Sequence, residues 1–408
     1  MKVRFRDWSS LPAELIENIS DLLSADTDTI HIHQVCSHWR ASTAPLAAPR
    51  PWVVAGRPHG GPLPKRTLRP VGCYSLWLPR GRGRVPVCLR RRGAPQNLPD
   101  CCVGTPRGWL ALTTEEDAPA AASRLVLWEP ISRSEISLPY LRDAVQVFLS
   151  ADPLDSPPGW MALATRRSRG CLADGNRLAY WRPGDAAWAD LAGGHSMCPV
   201  NSVAFHRGRL YFTAVNGGLF GYDLNNLGGA ASPAPPERAL FFNTTGMFNS
   251  SVCDCCQFHP VRAVHVVACG GDLLLVAFGQ RIGTHRRGGV VRVYRPDLLH
   301  AGDEAAAAAM SRRVVEAWER VSDLGEYSLF LGRGDAFALS ADAFPGIERN
   351  RVYYVEHDRQ CQLRYWNSVF DLSSNACEQV RYPVEHRDDG SQWWPFTWFC
   401  PRRPFLDR

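Results

Sequence analysis

No run of 18 or more apolar residues occurs anywhere in the 408-residue sequence, which argues against a membrane-spanning helix. The opening Met1-Lys2-Val3-Arg4-Phe5-Arg6-Asp7-Trp8 lacks the apolar core of a secretory leader. The 14 cysteines are therefore expected in a reducing compartment, cytoplasm or nucleus, as small core residues and not as a disulfide frame. The common catalytic signatures are missing as well. There is no Gly-x-Ser-x-Gly elbow and no His-Glu-x-x-His. Gly332-Arg333-Gly334-Asp335 lacks the strand–loop–helix setting and the terminal Lys-Ser/Thr of a phosphate loop. Glu115-Glu116-Asp117 reads as a wet loop and not as an acid–base pair. Cys253 and Cys256 have the spacing of zinc ligands and His259 offers a third donor. A structural zinc needs four, and Cys269, the next thiol, stands at a spacing that matches no common site. These cysteines read as buried or loop residues, with no metal, no cofactor and no enzymatic activity expected.

What is present is ordinary globular composition, 45% hydrophobic and 21% charged, in a chain longer than one core usually serves. Two units are expected. The net charge of +6 hides an asymmetry: residues 57–92 carry ten basic side chains and no acid. Such a stretch suits an acidic partner or nucleic acid, or else is a solvated loop face. No nucleic-acid-binding motif accompanies it, so the second reading is preferred.

Residues 1–45 predict a small helical unit. Pro12 suits the first position of a helix, and Glu14 falls in its first turn, where negative charge meets the positive end of the dipole. Leu11, Leu15, Ile19 and Leu22, with Ile16 and Leu23 beside them, form one broad apolar stripe. Asp26, Thr27 and Asp28 can cap a second helix, on which Ile32, Val35, Cys36 and Trp39 share a face. Pro45, Pro49 and Pro51 end the unit. About 40 residues bury too little surface to stand alone. The stripe must pack on something: the rest of this chain, as an ordinary helical hairpin, or another protein.

Residues 46–70 read as a linker or a loosely held first strand around Trp52-Val53-Val54. From residue 71 to 402 the texture is short apolar runs separated by Gly, Pro, Asn and Asp, an all-β pattern. It repeats. Gly108-Trp109-Leu110-Ala111-Leu112 returns as Gly159-Trp160-Met161-Ala162-Leu163, then as Gly208-Arg209-Leu210-Tyr211-Phe212. Looser echoes stand at Gly271-Asp272-Leu273 and Asn350-Arg351-Val352. Most are trailed by a second run, such as Leu127-Trp128-Glu129-Pro130, Gly221-Tyr222-Asp223 or Val369-Phe370-Asp371. A period near 50 residues fits a kelch-like β-propeller of six or seven blades; a pair of β-sandwiches, the alternative, predicts no repeat. Trp394–Phe399 is expected to close the ring by pairing near Trp52 or Tyr74. Trp109, Trp128, Trp160, Trp181, Trp188 and Trp366 are expected to pack between blades. Residues 118–123, 228–237 and 300–310 read as loop insertions.

Two resemblances follow from these residues. Leu-Pro-x-Glu-Leu-Ile, an acidic break and Val-Cys-x-x-Trp-Arg, over residues 8–45, resemble the F-box motif, although His31-Ile32-His33-Gln34 replaces an aromatic and a basic residue frequent there. Leu178–Asp185, Phe205–Tyr211, Gly271–Val276, Leu324–Gly332, Phe344–Ile347 and Thr397–Phe399 resemble, in order, the KIB-type propeller of plant F-box proteins, from about residue 72 to 402. The resemblance implies a non-catalytic substrate receptor of a ubiquitin ligase. Leu11, Pro12, Leu15, Ile16, Ile19, Leu22, Val35, Cys36 and Trp39 would lie on or beneath the surface that docks a Skp-type adaptor and, through it, a cullin. The propeller loops would select an unidentified target protein. The alternative is a propeller scaffold or regulator acting outside any ligase.

Overall fold

The computed structural model describes residues 7–23, 26–43, 51–57, 71–77, 100–114, 124–129, 134–167, 176–191, 200–214, 218–224, 241–243, 261–280, 289–296, 318–332, 335–344, 347–355, 365–381 and 394–400. The ten basic side chains of 57–92, the insertions at 118–123, 228–237 and 300–310, the Cys253/Cys256/His259 cluster and the Trp366 side chain lie outside what is described.

The front of the chain is helical: a 3-10 turn at Trp8–Ser10, then α1 (Ala13–Asp21), α2 (Asp26–Val35) and α3 (Ser37–Ala41). Pro12 is the N-cap of α1 and not its first residue, with extended ψ, and its carbonyl accepts from the Ile16 amide. Glu14 occupies the first turn as expected. The second expectation fails. Ile32, Val35, Cys36 and Trp39 do not share one helix, because Cys36 is fully extended (φ −163°, ψ 174°) and its Sγ accepts from the Trp39 amide, starting α3. The break turns Val35 outward while Ile32 and Trp39 face in.

The rest is β-structure. The strands are β1 (Trp52–Arg57), β2 (Val71–Trp77), β3 (Asp100–Gly104), β4 (Leu110–Thr114), β5 (Leu125–Trp128) and β6 (Glu135–Leu138). A second sheet holds β7 (Ala144–Leu149), β8 (Ala162–Arg167), β9 (Asn176–Trp181) and β10 (Ala189–Asp190). A third holds β11 (Val200–His206), β12 (Arg209–Ala214), β13 (Gly218–Asp223) and β14 (Phe241–Asn243). A fourth holds β15 (Val261–Cys269), β16 (Asp272–Gln280), β17 (Gly289–Pro296) and β18 (Trp318–Val321). The fifth runs β20-β19-β21-β22-β23, from β19 (Tyr327–Leu331), β20 (Phe337–Ser340), β21 (Arg351–Tyr354), β22 (Tyr365–Asp371) and β23 (Ala376–Arg381). The last strand, β24 (Trp394–Phe399), joins the first sheet, in the order β24-β1-β2-β3-β4-β5-β6. There β1 pairs with β24 from Trp52↔Phe399 to Gly56↔Trp394, whereas β2 and β3 share one residue pair, Val71↔Cys101.

The sequence repeat maps onto this topology. Its apolar runs are β4, β8, β12, β16 and β21, and the trailing runs are the strands beside them. Leu110 faces Trp128, Ala162 faces Trp181, Leu210 faces Tyr222, Leu275 faces Tyr294 and Val352 faces Phe370. The repeat glycines make tight turns: Arg207-Gly208 and Gly270-Gly271, each with φ positive at both residues, form the two-residue hairpins before β12 and β16.

Core residues alternate between the two faces of each sheet. Leu110 and Leu112 of β4 pack with Trp52, Val54 and Phe399, while Ala111 between them packs with Val147 and Ala162. Met161 and Leu163 meet Val203 and Leu210; Tyr211 meets Val266 and Leu275; Val276 and Phe278 meet Leu329 and Val352; Phe330 and Tyr353 meet Val53 and Trp398. Each of these clusters is shared by neighbouring groups of strands, so every central strand is covered on both faces. Trp109, Trp128, Trp160 and Trp181 are buried in them, and Trp188, half-buried, donates to the Pro139 carbonyl at 2.6 Å.

Candidate functional site

The helical unit has an inside and an outside. Ile16, Ile32 and Trp39 are buried against one another, with Leu11, Ile19, Leu23 and Cys36 half-buried around them. Polar bonds fasten the unit. Trp39 Nε1 donates to the Trp8 carbonyl at 2.7 Å, His38 Nε2 lies 2.8 Å from the Leu11 carbonyl, and Arg40 Nε donates to the carbonyl of His33 at 3.1 Å. The short core holds α3 against the start of the chain.

The outside is apolar where water would be expected to demand charge. Leu22 is 84% exposed, Trp8 59%, Val35 52% and Leu15 49%. Leu15 and Leu22, seven residues apart, project from one side of α1. Scattered exposed apolar residues are normal in any protein, but concentration is not. Among the described residues only one other large hydrophobic side chain, Tyr140, is exposed. Four of five thus fall within the first 35 residues.

The nine residues singled out from the sequence therefore divide. Pro12, Leu15, Leu22 and Val35 lie on the surface; Leu11, Ile19 and Cys36 are half-buried; Ile16 and Trp39 are core. Trp8 was missed. Its signal, a tryptophan just ahead of Leu-Pro, was present, but it lies outside the helical stripe.

Among the described residues of the β-structure, no group of three or more His, Cys, Asp or Glu side chains is placed to hold a metal. The thiol of Cys269 is pushed up to about 11, by burial first and by nearby Asp272 second, which leaves it protonated and inert. Where the strand groups of the first sheet meet the fifth, the turn after β3 makes the connections. Thr105 Oγ1 donates to the Trp398 carbonyl at 2.7 Å, and the Arg107 amide donates to Asp335 Oδ2 at 3.2 Å. Arg107 Nε reaches the Leu149 carbonyl in β7 at 2.9 Å.

Residues 89–373 match the KIB1-4 β-propeller family, which is most of the chain and all of the repeat described above. The chain belongs to that family. Over 380 residues it is also 20% identical to an Arabidopsis thaliana protein described as a "Putative F-box protein", with 86% of this chain and 88% of the relative covered. Among solved structures, an N-terminal BBS1 fragment in complex with an ARL6 fragment is 10% identical (TM-score 0.36), covering 77% of this chain and 73% of that one. The N-terminal domain of Nup159 is 9% identical (TM-score 0.30), covering 71% and 66%. Similarity at that level says nothing about function. No described helix of this KIB1-4 family member is long and apolar enough to cross a membrane.

Proposed function

We propose that this KIB1-4 family protein is a substrate receptor of a Skp–cullin–F-box ubiquitin ligase, acting in the cytoplasm or nucleus. Its helical unit is an F-box that docks the Skp-type adaptor, and a kelch-like propeller of six blades captures the target protein. The observation that carries the reading is the crowding of exposed Trp8, Leu15, Leu22 and Val35 onto a helical unit whose inner half is already packed. The motif in residues 8–45 and the relative described as an F-box protein support it. Six blades are supported by three separate four-stranded sheets, the five-stranded one, and a first sheet divided at its single β2–β3 pair.

The mechanism is proximity and not chemistry. Holding a target and an adaptor on one chain raises the target's effective concentration beside the ubiquitin-charged enzyme. Specificity lies in loops that vary on the rigid sheets.

The test is co-purification with a Skp-type adaptor. Leu15→Glu and Leu22→Glu put charge on the outer row without touching Ile16, Ile32 or Trp39. Burying each leucine contributes about 1.5–3 kcal/mol, so each substitution should weaken capture at least tenfold and the pair should abolish it. The circular dichroism of the propeller should be unchanged. Failure of the unsubstituted chain to capture any such adaptor would leave a scaffold or regulator acting outside a ligase.

A further inference from the structure

The sequence holds two lysines, Lys2 and Lys65, against 44 arginines. Lysine is ordinarily among the commonest residues of a globular chain. Both lysines lie outside the described residues, so every one of the strands, helices and turns set out above is free of lysine.

Some of the arginines use what lysine lacks. Arg295 reaches Asp272 through Nε and Glu319 through a second nitrogen. Arg351 likewise reaches both Glu348 and Asp371. A planar, multi-donor guanidinium suits those places. Arg142 and Arg320 are different: both are exposed, and no ion pair among the described residues engages them. At such sites solubility and charge are served equally by lysine, yet arginine stands there too. The side chain is excluded where the fold has no use for its replacement.

One chemical property separates the two cations on an exposed surface. Ubiquitin transfer needs a neutral amine: the lysine Nζ attacks the thioester carbon at the ubiquitin C-terminus and the C–S bond breaks. The conjugating enzyme's cysteine leaves as thiol with the amine's proton, and an isopeptide bond remains. A guanidinium stays protonated above pH 12 and spreads its charge over three nitrogens, so it cannot make that attack.

We infer that the described strands, helices and turns of this chain are refractory to ubiquitin, and that self-modification within its own ligase is confined to Lys2 and Lys65. The inference rests on the receptor reading above. A receptor that parks a charged conjugating enzyme beside its own surface is exposed to it in every cycle, and a surface without acceptor amines lets the target be modified while the receptor persists.

The experiment reconstitutes the full chain with adaptor, cullin, conjugating enzyme and ubiquitin, after adaptor capture has been verified separately. Wild type should give conjugates that map by peptide mass spectrometry to Lys2 and Lys65 alone. Lys2→Arg with Lys65→Arg should lower self-conjugation at least tenfold. Adding Arg142→Lys and Arg320→Lys to that chain should restore it. Conjugates persisting on the lysine-free chain, through a hydroxyl, a thiol or the α-amine, would overturn the inference. So would a lysine-restored chain that stays unmodified, since distance and not chemistry would then protect the body. Loss of adaptor capture itself would overturn the receptor reading, and this inference with it.

Discussion

His265 lies on β15 with its ring edge-on to Phe278 at 5.7 Å and to Tyr354, from the next sheet, at 5.8 Å. It is 2% exposed, and neither ring nitrogen has a hydrogen-bond partner among the described residues. Burial pushes its pKa down to about 4, against 6.5 for a free histidine. Between those values the unfolded chain binds the proton and the folded chain does not. The stabilising contribution is therefore complete above about pH 6.5 and is lost as pH falls toward 4, by about 3 kcal/mol in all. Denaturant midpoints measured at pH 7.5 and pH 5 should show about 2 kcal/mol of this loss, and His265→Leu should flatten it. A variant with the same acid sensitivity as wild type would place the titrating group elsewhere. Gly104 makes a second residue-scale case. A Cβ built on it would sit 2.6 Å from the Val147 carbonyl oxygen, where β3 crosses close to β7. Gly104→Ala has to push two strand groups apart, and thermal unfolding should register a cost of about 1–3 kcal/mol.

Among the elements, β24 carries the largest prediction. It supplies Trp398 to one core cluster and Phe399 to another, and it is hydrogen-bonded to β1 along its length. Ending the chain at residue 393 should abolish the cooperative unfolding transition of the whole β-structure. A truncated protein that melted as sharply as the full chain would show the strand to be an accessory. The strands beside one another in β4–β5, β12–β13 and β21–β22 were legible in the sequence because both members carry large apolar residues that face each other across the ladder. Gly108, Gly208 and Gly271, ahead of β4, β12 and β16, were legible because positive φ leaves few alternatives. The junction of α2 and α3 was not. Neither glycine nor proline marks it, and a cysteine in an extended conformation, capping through its thiol, has no distinctive pattern. A continuous helix was therefore read across Cys36, and Val35 was placed with its buried neighbours. The apolar stripe of α1 showed which residues are greasy but not which half of them faces in. Only the packing of Ile16 against Ile32 and Trp39 decides that, which is why Leu15 and Leu22, and not Ile19, are the residues to charge.

At the scale of the molecule, two kinds of surface coexist. The helical unit exposes apolar side chains that its own core has no room for, while the described β-structure exposes almost none and puts arginine where lysine would serve. On the proposed reading the first feature concerns what the chain holds and the second what is done to it, and the two tests above separate them. The pairing of β24 with β1 also makes the β-structure begin and end on adjacent strands. Thr43, the last described residue of the helical unit, precedes Pro51 by eight positions, a contour of at most about 29 Å. On the proposed reading, an adaptor held by the helices would stand within that distance of β1, a span shorter than the width of many small domains. A target captured by the loops, as proposed, would then have a correspondingly narrow zone in which to meet it, and inserting residues between Thr43 and Pro51 should blur which target amines are reached without weakening either interaction.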